Sequence, residues 1–142
     1  MQYHPFGQTG IQISALGFGA MRLPTATING QRVYDTQESI RIIRRAFELG
    51  VNYVDTAPYY CDGDSEIIVG QALKGWRDRV YLSTKNPVEN SSGADWRRRL
   101  EKSLTKLSTD WIDFYHMWGI GWKDYEEDIN VADGPLAAAF KA

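Results

Sequence analysis

Asp55 and Tyr60 close the stretch VNYVDTAPYY, Lys85 closes RVYLSTK, and His116 closes WIDFYH. Each follows a short run rich in β-branched and aromatic residues, so each stands where a strand hands over to a loop. Their types suit work on a carbonyl group. A phenol, with a reference pKa of about 10, is on its own a poor proton donor at neutral pH. An ammonium beside it stabilises the phenolate, and a carboxylate holds that ammonium in place. A histidine at a neighbouring strand end can hydrogen-bond the same substrate oxygen and orient it.

The elements that must position these groups follow from periodicity and turn residues. YHPFGQTGIQIS reads as a hairpin around Gly7 to Gly10, and Leu16 to Gly19 as a short buried strand. Residues 24–35 are polar and turn-rich and read as loop. Asp35 and Glu38 form a capping-box pattern ahead of Ile40, Ile43, Ala46 and Phe47, with Gly50 as the stop, which predicts a helix. VNYVD is the next strand; DSEIIVGQALKG predicts a helix with Ile67, Ile68, Ala72 and Leu73 inward. Residues 79–85 form another strand, checked by Pro87, and a helix from Ala94 turns Trp96, Leu100, Leu104 and Leu107 to one face, with Arg97 to Arg99 on a solvated face.

Residues 111–116 give the last strand, residues 117–132 a polar loop with scattered aromatics, and Gly134-Pro135 a helix start. Such alternation argues for a parallel sheet with right-handed crossovers. Gly19, Asp55 with Tyr59 and Tyr60, Lys85 and His116 then gather at one rim, the face where (β/α)8 barrels place their active sites.

Composition narrows the function further. The chain has 142 residues, 43% hydrophobic and 24% charged, an ordinary globular balance. A net charge of −2 argues against nucleic acid as a partner, since neutralising phosphates needs a basic face. No run of about 18 apolar residues spans a membrane, and the N-terminus lacks a signal-peptide pattern, so a cytoplasmic location is expected. Cys61 is the single cysteine, which fits a reducing compartment, and Asp62 and Asp64 beside it oppose a reactive thiolate. No metal site is expected: Asp62-Gly63-Asp64 is too short a fragment of a calcium loop. GFGAMR starts like a dinucleotide fingerprint but carries Arg22 at the third glycine.

The order and spacing of Asp55, Tyr60, Lys85 and His116 resemble the catalytic tetrad of the aldo-keto reductases. The resemblance extends to GFGAMRLP, to VNYVDTAPYY leading into SEIIVGQAL, to YLSTKN and to DWIDFYHMW, which is essentially the whole chain. It implies an α/β fold, the N-terminal half of a (β/α)8 TIM barrel: a hairpin over 1–15, then a half-barrel over 16–142 with four parallel strands and an incomplete fourth helix. A complete barrel takes about 250 residues, so the chain is expected to be a truncated piece with open sheet edges.

The same resemblance implies roles. Tyr60 would be the general acid, Lys85 the group that eases its proton release, Asp55 the lysine's partner, and His116 the orienter of the carbonyl. Gly19, Ala20 and Met21, with Asp55, would contact the nicotinamide ribose end of NADP(H), with NAD(H) left open. Tyr59 and Trp118 are either substrate-pocket wall or plain packing. The substrate would be an aldehyde or ketone of modest size. The family handles the adenine end of the cofactor on later strands, so this chain alone is expected to hold the tetrad but little cofactor affinity. Two alternatives stand beside this: a non-catalytic, cofactor-sensing relative, and half-barrels that self-associate through their open edges. MRLP and CDGDSE also resemble the bacterial branch that often carries a C-terminal iron-sulfur segment, although this chain lacks a cysteine set for a cluster.

Overall fold

The computed structural model describes residues 1–88 and 92–142. The chain opens with an antiparallel hairpin, β1 (Tyr3–Pro5) on β2 (Gln12–Ser14). After β3 (Phe18–Gly19) comes a second hairpin, β4 (Thr25–Ile28) on β5 (Gln31–Tyr34). Then α1 (Thr36–Glu48), β6 (Tyr53–Asp55), α2 (Ser65–Leu73), β7 (Tyr81–Pro87), α3 (Gly93–Leu107) and β8 (Phe114–Trp118) alternate. The chain closes with a single turn, α4 (Trp122–Asp124), a π-turn over Tyr125–Ile129, and α5 (Pro135–Ala139), with Pro135 in its first turn as the sequence suggests.

Four parallel strands in the order β3-β6-β7-β8 form the main sheet. One face is covered by helices: Val54 and Leu82 pack with Ile43 and Phe47 of α1, Ile68, Val69 and Ala72 of α2, and Leu107 of α3. Fully burying such side chains stabilises the fold by roughly 1.5–3 kcal/mol each. At its N-terminal end the opposite face is filled by rings, with Phe114 against Tyr53 at 5.6 Å, Tyr81 at 6.3 Å and Phe6 of the first hairpin at 5.0 Å between centroids. The hairpin therefore plugs the bottom of the sheet and leaves its C-terminal rim open. β3 and β8 each pair with one strand, so both edges expected to be open are unpaired among the described residues.

Several expectations need correction. Residues 24–35 are largely a hairpin, not loop, turning on Asn29 (φ 52°) and Gly30 (φ 76°), the left-handed pair that a tight two-residue turn needs. The first barrel strand is only Phe18–Gly19, and Leu16 is exposed. Asp35 caps α1 by accepting from the Glu38 N–H, but the Glu38 carboxylate pairs with Arg41 rather than completing a box. Ile67 points outward, because α2 buries Ile68, Val69, Ala72 and Leu73 against the sheet and its two neighbouring helices.

The last strand starts at Phe114, not Trp111, and runs past His116 to Trp118. Residues 117–132 are partly helical rather than loop. Arg99 leaves the solvated face of α3, its Nε donating to Asn86 Oδ1 at 2.7 Å.

Tyr115, on the side of β8 that faces α3, meets Trp96 edge-on at 5.4 Å. Burial pushes its phenol up to about 12, above the ordinary value of about 10. A proton held more tightly in the folded than in the unfolded chain contributes stability that is intact below pH 10 and is lost as pH rises towards about 12. The expected result is a melting temperature that falls over that window, and falls less steeply in Tyr115→Phe; identical slopes would contradict it.

Candidate active site

Register brings the predicted residues onto one face. Gly19 pairs with Asp55, Asp55 with Ser83, and Lys85 with His116. Side chains alternate along a strand, so Ser83 and Lys85 share a face of β7, as Phe114 and His116 share one of β8. This is the face without helices, and its open rim carries the polar groups.

Lys85 Nζ donates to Asp55 Oδ2 at 2.6 Å and to the Thr56 carbonyl at 2.8 Å, and lies 4.9 Å from the centre of the Tyr60 ring. Its ammonium is thus fixed between a carboxylate and an aromatic face, both favourable to a cation. Asp55 is held on its other oxygen: Ser83 Oγ donates to Oδ1 at 2.9 Å. Ser83 Oγ also lies 3.1 Å from His116 Nε2. A continuous polar chain therefore runs Lys85, Asp55, Ser83, His116. The sequence reading missed Ser83; its place two residues before Lys85 in YLSTK was the available signal.

Tyr60 begins a turn that ends at Gly63, in the loop that follows the strand bearing Asp55. Trp118 meets it edge-on at 6.0 Å and meets Tyr59 at the same centroid distance. Tyr59 is exposed, so Tyr59 and Trp118 stand as an aromatic wall at the rim.

Gly19 faces open space: a Cβ there would meet nothing within 4 Å. Met21 is exposed. Ala20 is scaffold instead, fully buried, with its N–H on the Asp55 carbonyl at 2.8 Å and its carbonyl accepting from Ser65 Oγ at 2.8 Å. The absence of a side chain at Gly19 leaves the backbone there open to close approach. Cys61 lies under this segment, its Sγ 3.6 Å from the carbonyls of Ala20 and Met21. Burial, and then the nearby Asp62 and Asp64, push its thiol above the ordinary range, which suits a structural rather than a reactive cysteine.

Among the described residues no helix is long and apolar enough to cross a membrane, and no group of three or more His, Cys, Asp or Glu gathers as for a metal ion.

Comparison with known proteins gives the same picture from outside. A sequence profile of the Aldo/keto reductase family matches residues 15–133. The chain is 36% identical over 134 residues to the aldo-keto reductase YhdN of Bacillus subtilis, covering 87% of this chain and 39% of that one. Among solved structures, the aldo-keto reductase AKR11C1 from Bacillus halodurans in its holo form superposes with a TM-score of 0.80 at 32% identity, over 99% of this chain and 46% of that one. An aldo-keto reductase from Klebsiella pneumoniae in complex with NADPH superposes with a TM-score of 0.71 at 31% identity, over 92% of this chain and 41% of that one. The chain thus spans less than half the length of these relatives, and no closed barrel is formed among the described residues.

Proposed function

The chain belongs to the aldo/keto reductase family, and on that premise we propose that it carries the proton-donating site of an NAD(P)H-dependent reductase acting on a small aldehyde or ketone. The observation that supports this most is the Lys85 ammonium seated on Asp55 beside the Tyr60 ring. A reduced nicotinamide, when bound, supplies the hydride to the carbonyl carbon. Tyr60 donates its phenolic proton to the carbonyl oxygen. Lys85 stabilises the phenolate left behind, and Asp55, itself fixed by Ser83, keeps the lysine in place. His116 holds the carbonyl oxygen towards the phenol, while Tyr59 and Trp118 exclude water from one side. Gly19 and Met21, with Asp55, receive the nicotinamide ribose.

NADP(H) is the proposed cofactor, in line with the NADPH held by the Klebsiella pneumoniae protein. Its adenine end would be bound by strands beyond β8, so the chain alone is proposed to bind it weakly. The unpaired edges of β3 and β8 are where such strands would add, or where two copies would associate in their absence. A cytoplasmic location and a lack of nucleic-acid binding are part of the same proposal.

The test is a hybrid in which this chain replaces the matching part of the Bacillus halodurans relative. Aldehyde-dependent oxidation of NADPH by the hybrid is expected; a folded hybrid that binds NADPH but oxidises none would contradict the reading.

A further inference from the structure

We propose that Lys106, held in place by the buried carboxylate of Glu66, is a positioning residue for Tyr60, because its ammonium ties together both ends of the turn that carries the phenol. The inference rests on the reading of Tyr60 as proton donor and adds the device that fixes it.

The turn needs such a device. After Tyr60, three consecutive residues are left-handed: Cys61 at φ 54°, Asp62 at 55° and Gly63 at 96°. Only the last is a glycine, and this conformation is disfavoured for L residues because Cβ crowds the following carbonyl. Residues in that state persist where their surroundings over-determine them. On one side the turn is pinned by Cys61 Sγ on the carbonyls of Ala20 and Met21. On the other, Lys106 reaches across from α3: Nζ donates to the Gly63 carbonyl at 3.0 Å and, more weakly, to the Pro58 carbonyl at 3.5 Å. Those two carbonyls bracket Tyr59 to Asp62.

Glu66 explains why the lysine stays in. The carboxylate is 1% exposed, its Oε1 accepts from Thr84 Oγ1 at 2.9 Å, and its Oε2 has no hydrogen-bond partner. Burying a charged carboxylate is costly unless it is paired, and Lys106 Nζ lies 3.9 Å from that Oε2. The ammonium thus donates to two backbone carbonyls and lies at ion-pair distance from a carboxylate. Lys106 and Lys85 also line a common cavity of about 90 Å³ together with Pro58, Tyr59 and Glu66. Lys85 holds the Thr56 carbonyl and Lys106 the Gly63 carbonyl, so two lysines grip the backbone of the segment that carries Tyr60, one on either side of it in sequence.

The experiment labels the chain with 3-fluorotyrosine and follows it by fluorine NMR, with the Tyr60 signal identified as the one lost in Tyr60→Phe. In Lys106→Met the Tyr60 signal is expected to split or move while those of Tyr3, Tyr34 and Tyr81 stay, and Lys106→Arg, which keeps the charge and donors, is expected to restore a single line. Since Lys106→Met strands a buried carboxylate, the paired variant Glu66→Gln/Lys106→Met removes that charge, keeps the fold, and decides the matter if the single variant unfolds. A Tyr60 signal at its original position in the folded pair would overturn the proposal. In the hybrid, the paired variant is expected to lower kcat by about 100-fold with little change in KM, as a misplaced reacting group does. A hybrid inactive with Lys106 intact counts against the reductase reading alone, because the fluorine signal still reports on the turn.

Discussion

Replacing Tyr60 by Phe is expected to lower kcat for aldehyde reduction by the hybrid by about 10²–10⁴-fold, the usual contribution of a positioned general acid. NADPH binding should persist. The substitution removes one hydroxyl and leaves the ring, so the edge-on contact with Trp118 and the position over Lys85 are retained. Tyr59→Phe is the control that separates the two phenols: Tyr59 is exposed, and among the described residues no lysine lies over its ring as Lys85 lies over that of Tyr60. Steady-state kinetics on both variants decide the assignment. A kcat for Tyr60→Phe equal to the parent's would remove Tyr60 from the proton-donating role.

Gly70→Ala is expected to be the most destabilising single-methyl change in the fold. In α2 the alanine would gain about 1 kcal/mol of helix propensity. Its Cβ, however, would lie 2.4 Å from the carbonyl oxygen of Leu107, 2.7 Å from its carbonyl carbon and 2.8 Å from its Cα. These are backbone atoms at the end of α3 and cannot rotate aside, so the two helices must move apart. Leu107 and its neighbours in the core under the sheet move with them. Overpacking of this kind costs up to about 3 kcal/mol, for a net loss of about 2 kcal/mol after the helix gain. Urea unfolding of the isolated chain measures it; a midpoint equal to or above the parent's would show that the helices accommodate the methyl. A loosened α3 also shifts Lys106, so the substitution should disturb the Tyr60 turn from a distance.

The site was legible because its residues end strands whose patterning is strong. The apolar runs around Val54 and Leu82 announce β6 and β7, and the register of the folded sheet sets Asp55 beside Ser83 and Lys85 beside His116. The misses have separate physical causes. The β4-β5 hairpin is mostly exposed and buries no side chain fully, so the short alternation Thr25 to Ile28 is a weak mark, although Asn29-Gly30 is the available turn signal. Periodicity cannot settle which way Ile67 faces, because α2 has apolar residues on more than one side. Arg99 and Lys106 look like ordinary surface cations of an amphipathic helix, and only the tertiary structure shows Asn86 beneath one and Glu66 beneath the other. The left-handed run at Cys61 and Asp62 is invisible in sequence, since neither residue is a glycine.

On the proposed function, this chain supplies the groups that protonate a carbonyl while a nicotinamide delivers hydride to it. This is tested most directly by giving the hybrid a small aldehyde and NADPH deuterated at the hydride-donating carbon, then examining the alcohol formed. The expected product carries deuterium on the former carbonyl carbon, is formed by the parent hybrid, and falls to a trace with Tyr60→Phe. Alcohol without the label, or labelled alcohol formed equally well without the Tyr60 hydroxyl, would contradict it.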